Sequence, residues 1–237
     1  MKKLFALLLC ASLMACDAAT LQRTLETVLA TDTLTNVDIG NGLKQALEFG
    51  VGEGSDKLSA ANGFLNSPYK ILLPAEVRKV TSKLQNVPGF NMVEDKMVSL
   101  LNAAAEDAAK SAKPIFIDAI KSMTFADATN ILMGRNNAAT SYLQKKTNRP
   151  LYSAFSPVIQ NSLDKVNATD YWSKAMNAYN KIPFVQKVNP DLKDYVTKQA
   201  LKGMFSMVEK KEAGIRTDVG QRSTDLLQKV FAKQDNK

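Results

Sequence analysis

From Asn36 onward, apolar residues recur at three- and four-residue intervals, a spacing that only a helix brings to one face. The clearest case lies between Asn189 and Gly214. There Leu192, Val196, Ala200, Met204, Met207 and Val208 line one face, and Leu201 and Phe205 widen it. A face that broad implies burial near the centre of a bundle. Asn189 is the expected N-cap, Pro190 suits the first turn, and Asp191 and Asp194 suit the positive helix end. Gly214 is the expected stop. No run alternates with period two between hairpin turns. The fold class expected is therefore all-α: a single multi-helix bundle over residues 36–232, with no β-sheet.

The remaining helices follow from the same pattern. Ile39, Leu43, Leu47, Val51, Gly54 and Leu58 share a face, interrupted by Gly50, Gly52 and Gly54. Each of these glycines costs a helix interior about 1 kcal/mol relative to alanine. They either permit a close helix crossing or let the helix fray. Residues 59–70 read as a loop, and Ala75 to Asn86 as a short helix stopped by Pro88-Gly89. A stripe through Val93, Met97, Leu100, Leu101, Ala104 and Ala108 predicts a helix from Met92 to Lys110, and Pro114 opens the next. Thr124 and Asp127 fit a capping box for Ala126 to Met133, ended by Gly134. A short helix over Ala138 to Lys146 is expected, then a separate one from Pro150 to Val166 that Pro157 kinks. Thr169 or Asp170 is the expected cap for a helix with Tyr171, Trp172, Ala175, Met176 and Tyr179. A last helix spans Thr224 to Ala232.

The first fifteen residues have the pattern of a targeting leader rather than of fold. Lys2 and Lys3 precede an apolar run from Leu4 to Met14 that is shorter than the ~20 residues of a spanning helix. Leu13-Met14-Ala15-Cys16 then reads as a lipobox, with cleavage after Ala15 and acylation of Cys16. Ordinary secretion, with cleavage near Ala18 or Ala19, is the alternative. Residues 16–35, rich in threonine, read as a tether, and residues 233–237 as a disordered tail. Asp17 leaves inner and outer membrane both open.

The chain carries 31 basic and 23 acidic residues, net +8, which falls to +6 once Lys2 and Lys3 leave with the leader. The lysines are scattered rather than striped, and export removes the usual nucleic-acid target, so no nucleic-acid partner is expected. Cys10 and Cys16 are the only cysteines, so the mature chain could form no internal disulfide.

Chemistry is constrained further by the absence of histidine. The commonest general base, the commonest zinc ligand and every Ser-His or Cys-His nucleophile pair are excluded. Ser67 to Lys70 and Ser162 to Lys165 match S-x-x-K, at the frequency chance allows in a chain rich in both residues. Gly50 to Gly54 resembles a nucleotide loop only faintly, lacking a preceding strand and a following G-K-[ST]. Glu94, Asp95, Glu106, Asp107, Asp118 and Asp127 lack calcium-loop spacing and read as surface charges or caps, so no metal site and no cofactor are expected. The aromatic set Tyr171, Trp172, Tyr179 and Phe184 reads as core.

One polar cluster stands out. Arg216 and Arg222, with Ser223 and Thr224 at a helix start, could hold an anion. The structural alternative has Ser223 or Thr224 capping the helix while the arginines pair with Glu209, Glu212 or Asp218.

Four stretches carry a family resemblance: Asp118 to Thr124 (DAIKSMT), Ala138 to Tyr142 (AATSY), Tyr179 to Phe184 (YNKIPF) with Val188 to Leu192 (VNPDL), and Arg222 to Phe231 (RSTDLLQKVF). Together they resemble the bacterial envelope family known only as domain of unknown function 4197, over Asn36 to Phe231. The resemblance implies exported or lipoprotein bacterial proteins, with no assigned activity and no catalytic residues to carry over. The segment around Gly52 and Gly54 is more glycine-rich than the family pattern. The expected role is a non-catalytic accessory or binding lipoprotein facing the periplasm, held to a membrane by its lipid and engaging envelope proteins or lipid. A carrier of an apolar ligand in an interhelical cavity is the alternative, and an unusual histidine-free hydrolase or transferase the third.

Overall fold

The computed structural model describes residues 35–84, 92–232 and Asp235. The leader, Cys16, the tether before Thr35 and the Pro88-Gly89 stop lie outside the described residues. So does the tail, apart from Asp235.

Among the described residues nine α-helices and one short 3₁₀ turn account for the regular structure, and there is no strand. They are α1 (Asn36–Ser59), α2 (Ala75–Leu84), α3 (Val93–Ala109), α4 (Ala112–Lys121), α5 (Phe125–Leu132), α6 (Ala138–Asp164), α7 (Ala168–Tyr179), α8 (Leu192–Thr217) and α9 (Asp225–Ala232). The chain is all-α, as its periodicity predicts.

The two longest helices, α6 and α8, form the spine and make the most extensive helix contact. Leu143, Leu151, Phe155, Ile159 and Leu163 of α6 face Leu192, Val196, Ala200 and Met204 of α8, all fully buried. Helix α3 joins the spine through an alanine face, Ala104, Ala105, Ala108 and Ala109, whose small side chains permit close approach to α6. Phe116 of α4 meets Phe205 of α8 edge-to-face at 5.8 Å, the geometry that the ring quadrupoles favour. Helix α1 closes the bundle, packing on α4, α5, α8 and α9.

Several local starts and stops follow the chemistry of the chain. Thr35 and Asp38 form a capping box at α1, and Thr124 and Asp127 form one at α5. Gly42 is required by packing, because a Cβ there would lie 2.7 Å from Val230 of α9.

Four expectations are corrected. Residues 138–164 form one helix, not two, with Pro150 and Pro157 inside it. Both prolines are exposed and stand two turns apart on the outer face. The carbonyls they leave without an N–H partner, at Lys146 and Ser153, belong to exposed residues that water reaches. Helix α7 begins at Ala168 behind Asn167, which adopts φ 55° and gives no side-chain cap, so neither Thr169 nor Asp170 is the cap. The cap of α8 is Asp191, which accepts from the Asp194 N–H, while Asn189 stays outside the helix and donates to the Asp194 carboxylate. Finally, α8 runs through Gly214 to Thr217, because the Gly214 carbonyl still receives the Asp218 N–H at 2.8 Å.

The loop over 60–74 has no helix of its own to satisfy its backbone. Beyond its own turn hydrogen bonds, two side chains one turn apart on α3 anchor it. Buried Glu106 accepts from the N–H groups of Asn62, Phe64 and Leu65 at 3.0, 3.1 and 3.3 Å. Buried Asn102 accepts from the Ile71 N–H at 2.8 Å and donates to the Ile71 and Val98 carbonyls. Glu106 is thus an interior anchor rather than the surface charge its sequence context suggests.

Candidate binding groove

The arginines of the suspected anion cluster are turned inward. Arg216 is 5% exposed; its guanidinium pairs with Glu212 at 2.9 Å and donates to the carbonyls of Ile131 and Leu132. Arg222 is 2% exposed and donates to the carbonyls of Ile215 and Arg216 and to both oxygens of Asp235. Each cation therefore serves the carbonyl end of a helix, α5 for Arg216 and α8 for Arg222, where a positive charge is favoured. Asp235, assigned to a disordered tail from sequence, is held by Arg222, whose hydrogen bond keeps the Asp235 carboxyl below its ordinary range.

Thr224 caps α9 by accepting the Leu227 N–H, and its hydroxyl donates to Gln45 of α1. Of the partners named from sequence, Glu212 takes Arg216, whereas the acid on Arg222 is Asp235 rather than Asp218. The geometry is that of the structural alternative, and it directs the guanidiniums of Arg216 and Arg222 into the protein rather than toward an outside anion.

The suspected aromatic set divides. Trp172 is buried, with its indole N–H on the Asn189 carbonyl, and Tyr179 packs against the core. Tyr171 and Phe184 stand in solvent, so for these two the core assignment is corrected. Ser67 of the first S-x-x-K match is a turn residue: its hydroxyl donates to the Phe64 carbonyl and accepts from the Tyr69 N–H.

A broad concavity lies elsewhere, along α1. It is an open groove of about 950 Å³, with α1 on one side, α8 on the other and the 67–69 turn at one end. Its α1 side runs from Glu48 to Lys57 and includes Gly50 and Gly52; Met207, Lys210, Lys211 and Ile215 form the α8 side. Two ion pairs fasten α1 here, one to α4 and one to the α8 wall. Lys113 reaches the Asp56 carboxylate at 2.8 and 3.1 Å, and Lys211 reaches Glu53 at 2.5 Å. Glu48, Lys57 and Lys210 add further charge of both signs, and Phe49, half exposed, supplies an apolar surface at the edge.

The glycines follow from this arrangement. The stems of Lys211 and Lys113 lie over Gly50 and Gly52, and a Cβ at either position would meet them at 3.7 Å, an ordinary contact. Packing therefore does not demand glycine there. Gly54 differs, since a Cβ would stand 3.0 Å from Met207. Tyr69 also lines the groove. Burial pushes its phenol above the ordinary value, against a lowering hydrogen bond with Ser206.

Of the suspected anion residues only Ser223 lines this groove. Sequence reading singled out the glycine run but not Lys113, Lys211, Asp56 or Glu53, which come from three different helices. The signal within reach was an aromatic beside two helical glycines, Phe49-Gly50-Val51-Gly52.

No helix among the described residues is long and apolar enough to cross a membrane. Neither the curated proteins nor the solved structures contain a match to this chain. The profile of one family matches residues 33–232, most of the chain, and so the chain belongs to the family described as "Protein of unknown function (DUF4197)".

Proposed function

We propose that this protein is a binding lipoprotein of the bacterial envelope, acylated at Cys16 and without catalytic activity, that receives a segment of a protein partner in the groove between α1 and α8. The observation that carries the reading is the pair Gly50 and Gly52. Each is about 1 kcal/mol less favourable in a helix than alanine, although the packing accepts a methyl group at both. Their backbone is buried beneath the Lys211 and Lys113 stems, so a second chain that displaces those two lysines can approach it closely. Phe49 offers that chain an aromatic anchor, and the tied lysines and carboxylates offer it charge of both signs. The lipobox at Leu13 to Cys16 supports the anchor, and the absence of histidine supports a role other than hydrolysis.

The carrier alternative finds less support. Two apolar gaps beside Glu212 and Ile215, one between α1 and α8 and one also bounded by Ala139 and Phe231, are about 10 Å³ each, room for a water rather than an acyl chain.

Two measurements test the reading. Replacing Cys16 with alanine should leave an unprocessed or soluble product; a variant that still matures and stays with the membrane would refute the anchor. Native mass spectrometry of the protein purified without detergent should give the bare mass. An apolar molecule released on denaturation would replace partner binding with the carrier role.

A further inference from the structure

The segment between α7 and α8 presents apolar residues to solvent in a way that core packing does not explain. Ile182 is half exposed, Pro183 is exposed, and Phe184 is exposed over its whole side chain. Phe184 also adopts φ 63°, in the left-handed region, where a bulky residue is an outlier. Such strain persists where the surroundings over-determine it. Here the surroundings do so at the base of the loop: Asn180 donates to the Val188 carbonyl at 2.7 Å and accepts from the Val188 N–H at 2.8 Å. Trp172 holds the next residue, Asn189, through its carbonyl at 3.0 Å. The 181–187 loop is therefore closed at its neck and carries its aromatic outward. Lys181 and Lys187, both exposed, flank the apolar tip on either side.

We infer that the Ile182-Pro183-Phe184 tip inserts into the interface of an anionic lipid bilayer, with Lys181 and Lys187 on the headgroup phosphates. An apolar tip between two cations complements a surface whose outer layer is negative and whose interior is apolar. The net positive charge, +6 without Lys2 and Lys3, acts in the same direction. This contact is made by the folded body and does not require acylation. Where Cys16 is anchored, the twenty residues from Cys16 to Thr35 extend up to about 70 Å, which lets the body lie down on the same bilayer.

The test uses the full chain carrying F184W, with vesicles of phosphatidylcholine alone or mixed with phosphatidylglycerol. Trp172, the only native tryptophan, is buried and serves as the internal reference. On phosphatidylglycerol vesicles the emission of the introduced indole should shift to shorter wavelength and be quenched severalfold by acyl-brominated lipid. Adding K181E and K187E should abolish most of that quenching. Failure of the full chain to associate with the vesicles overturns the inference, as does vesicle-bound protein whose introduced indole remains aqueous and unquenched. The latter result would assign the tip to a protein partner. Equal quenching on pure phosphatidylcholine overturns the anionic requirement. Repeating the series with Cys16→Ala separates the two membrane contacts, because vesicle association and indole quenching that survive the loss of the acceptor thiol report the loop alone.

Discussion

Glu212 and Arg216 stand one turn apart on α8 and pair at 2.9 Å, with side chains 4% and 2% exposed. Together they fasten two other helices to α8. The Glu212 carboxylate accepts the Ala139 and Thr140 N–H groups at the start of α6, at 2.9 and 2.8 Å, and the Thr140 hydroxyl as well. Arg216 donates to the last carbonyls of α5 at 3.1 and 2.8 Å. Negative charge thus meets a helix N-terminus and positive charge a C-terminus. Removing one partner strands the other in the interior. Arg216→Met should lower stability by about 3–5 kcal/mol, the usual cost of breaking a buried pair. Urea denaturation reads the change, and a loss below about 1 kcal/mol would show that the pair is not holding the helix ends.

The first part of the 60–74 loop is held by one buried carboxylate, Glu106, while Asn102 holds Ile71. Glu106→Ala leaves three N–H groups of residues 62–65 without their acceptor, at about 1–3 kcal/mol for each that water cannot reach. Amide exchange at Phe64 and Leu65 should accelerate, and global stability should fall. Unchanged protection at both amides would mean that the loop is held by something other than Glu106.

The glycines of α1 separate by position. Gly50→Ala and Gly52→Ala should each stabilise the fold by about 0.5–1 kcal/mol, since the methyl has room and the unfolded chain loses freedom. Gly42→Ala should destabilise by about 1–3 kcal/mol, because its methyl meets Val230 at 2.7 Å. Thermal melts of the three variants give the signs directly. Destabilisation by Gly50→Ala would show that the glycine serves the helix and not the groove.

Acid should weaken the fold through its capping and bridging carboxylates. Hydrogen bonds with Thr35 and Thr124 hold Asp38 and Asp127 below their ordinary value of 3.8. Burial raises Asp194, but hydrogen bonds from Lys198, Tyr152 and Asn189 outweigh it and leave that carboxyl low as well. A carboxyl depressed in the folded state contributes stability that is fully present above its unfolded value. That contribution is lost as pH falls through the folded value. Melting temperature should therefore hold steady above about pH 5 and decline below about pH 4. Asp194→Asn should make the decline shallower, and an identical pH profile in that variant would show that Asp194 takes no part in it.

Much of this architecture is legible in the sequence because helices announce themselves through apolar spacing. The core faces of α1 and α8 are those the three- and four-residue intervals mark, and the capping box at Thr124 depends on residues three apart. On α3 the marked stripe is only partly the core face: Leu101, Ala104 and Ala108 are buried, but Val93 is exposed and the burial extends instead to Val98, Ala105 and Ala109. Breakers mislead where their cost falls on the solvent side. Pro150 and Pro157 each leave one carbonyl unpaired, yet both sit outward on α6, so tertiary packing of Leu151, Phe155 and Ile159 carries the helix through. Long-range roles leave no local mark. Glu106 and Glu212 look like ordinary helical acids, and only the fold brings them to the backbone of residues 62–65 and 139–140. The groove is the same case: Lys113 and Lys211 lie 57 and 158 residues from the acids they reach.

Partner binding in the groove is decided by photo-crosslinking in living cells from a photoreactive residue placed at Phe49, on the groove edge, with Arg149 on the exposed side of α6 as the control position. A partner seated between α1 and α8 should give discrete protein adducts from position 49, absent from position 149 and lost when Gly50→Phe fills the groove. No adduct from position 49, or the same adducts from both positions, would contradict it.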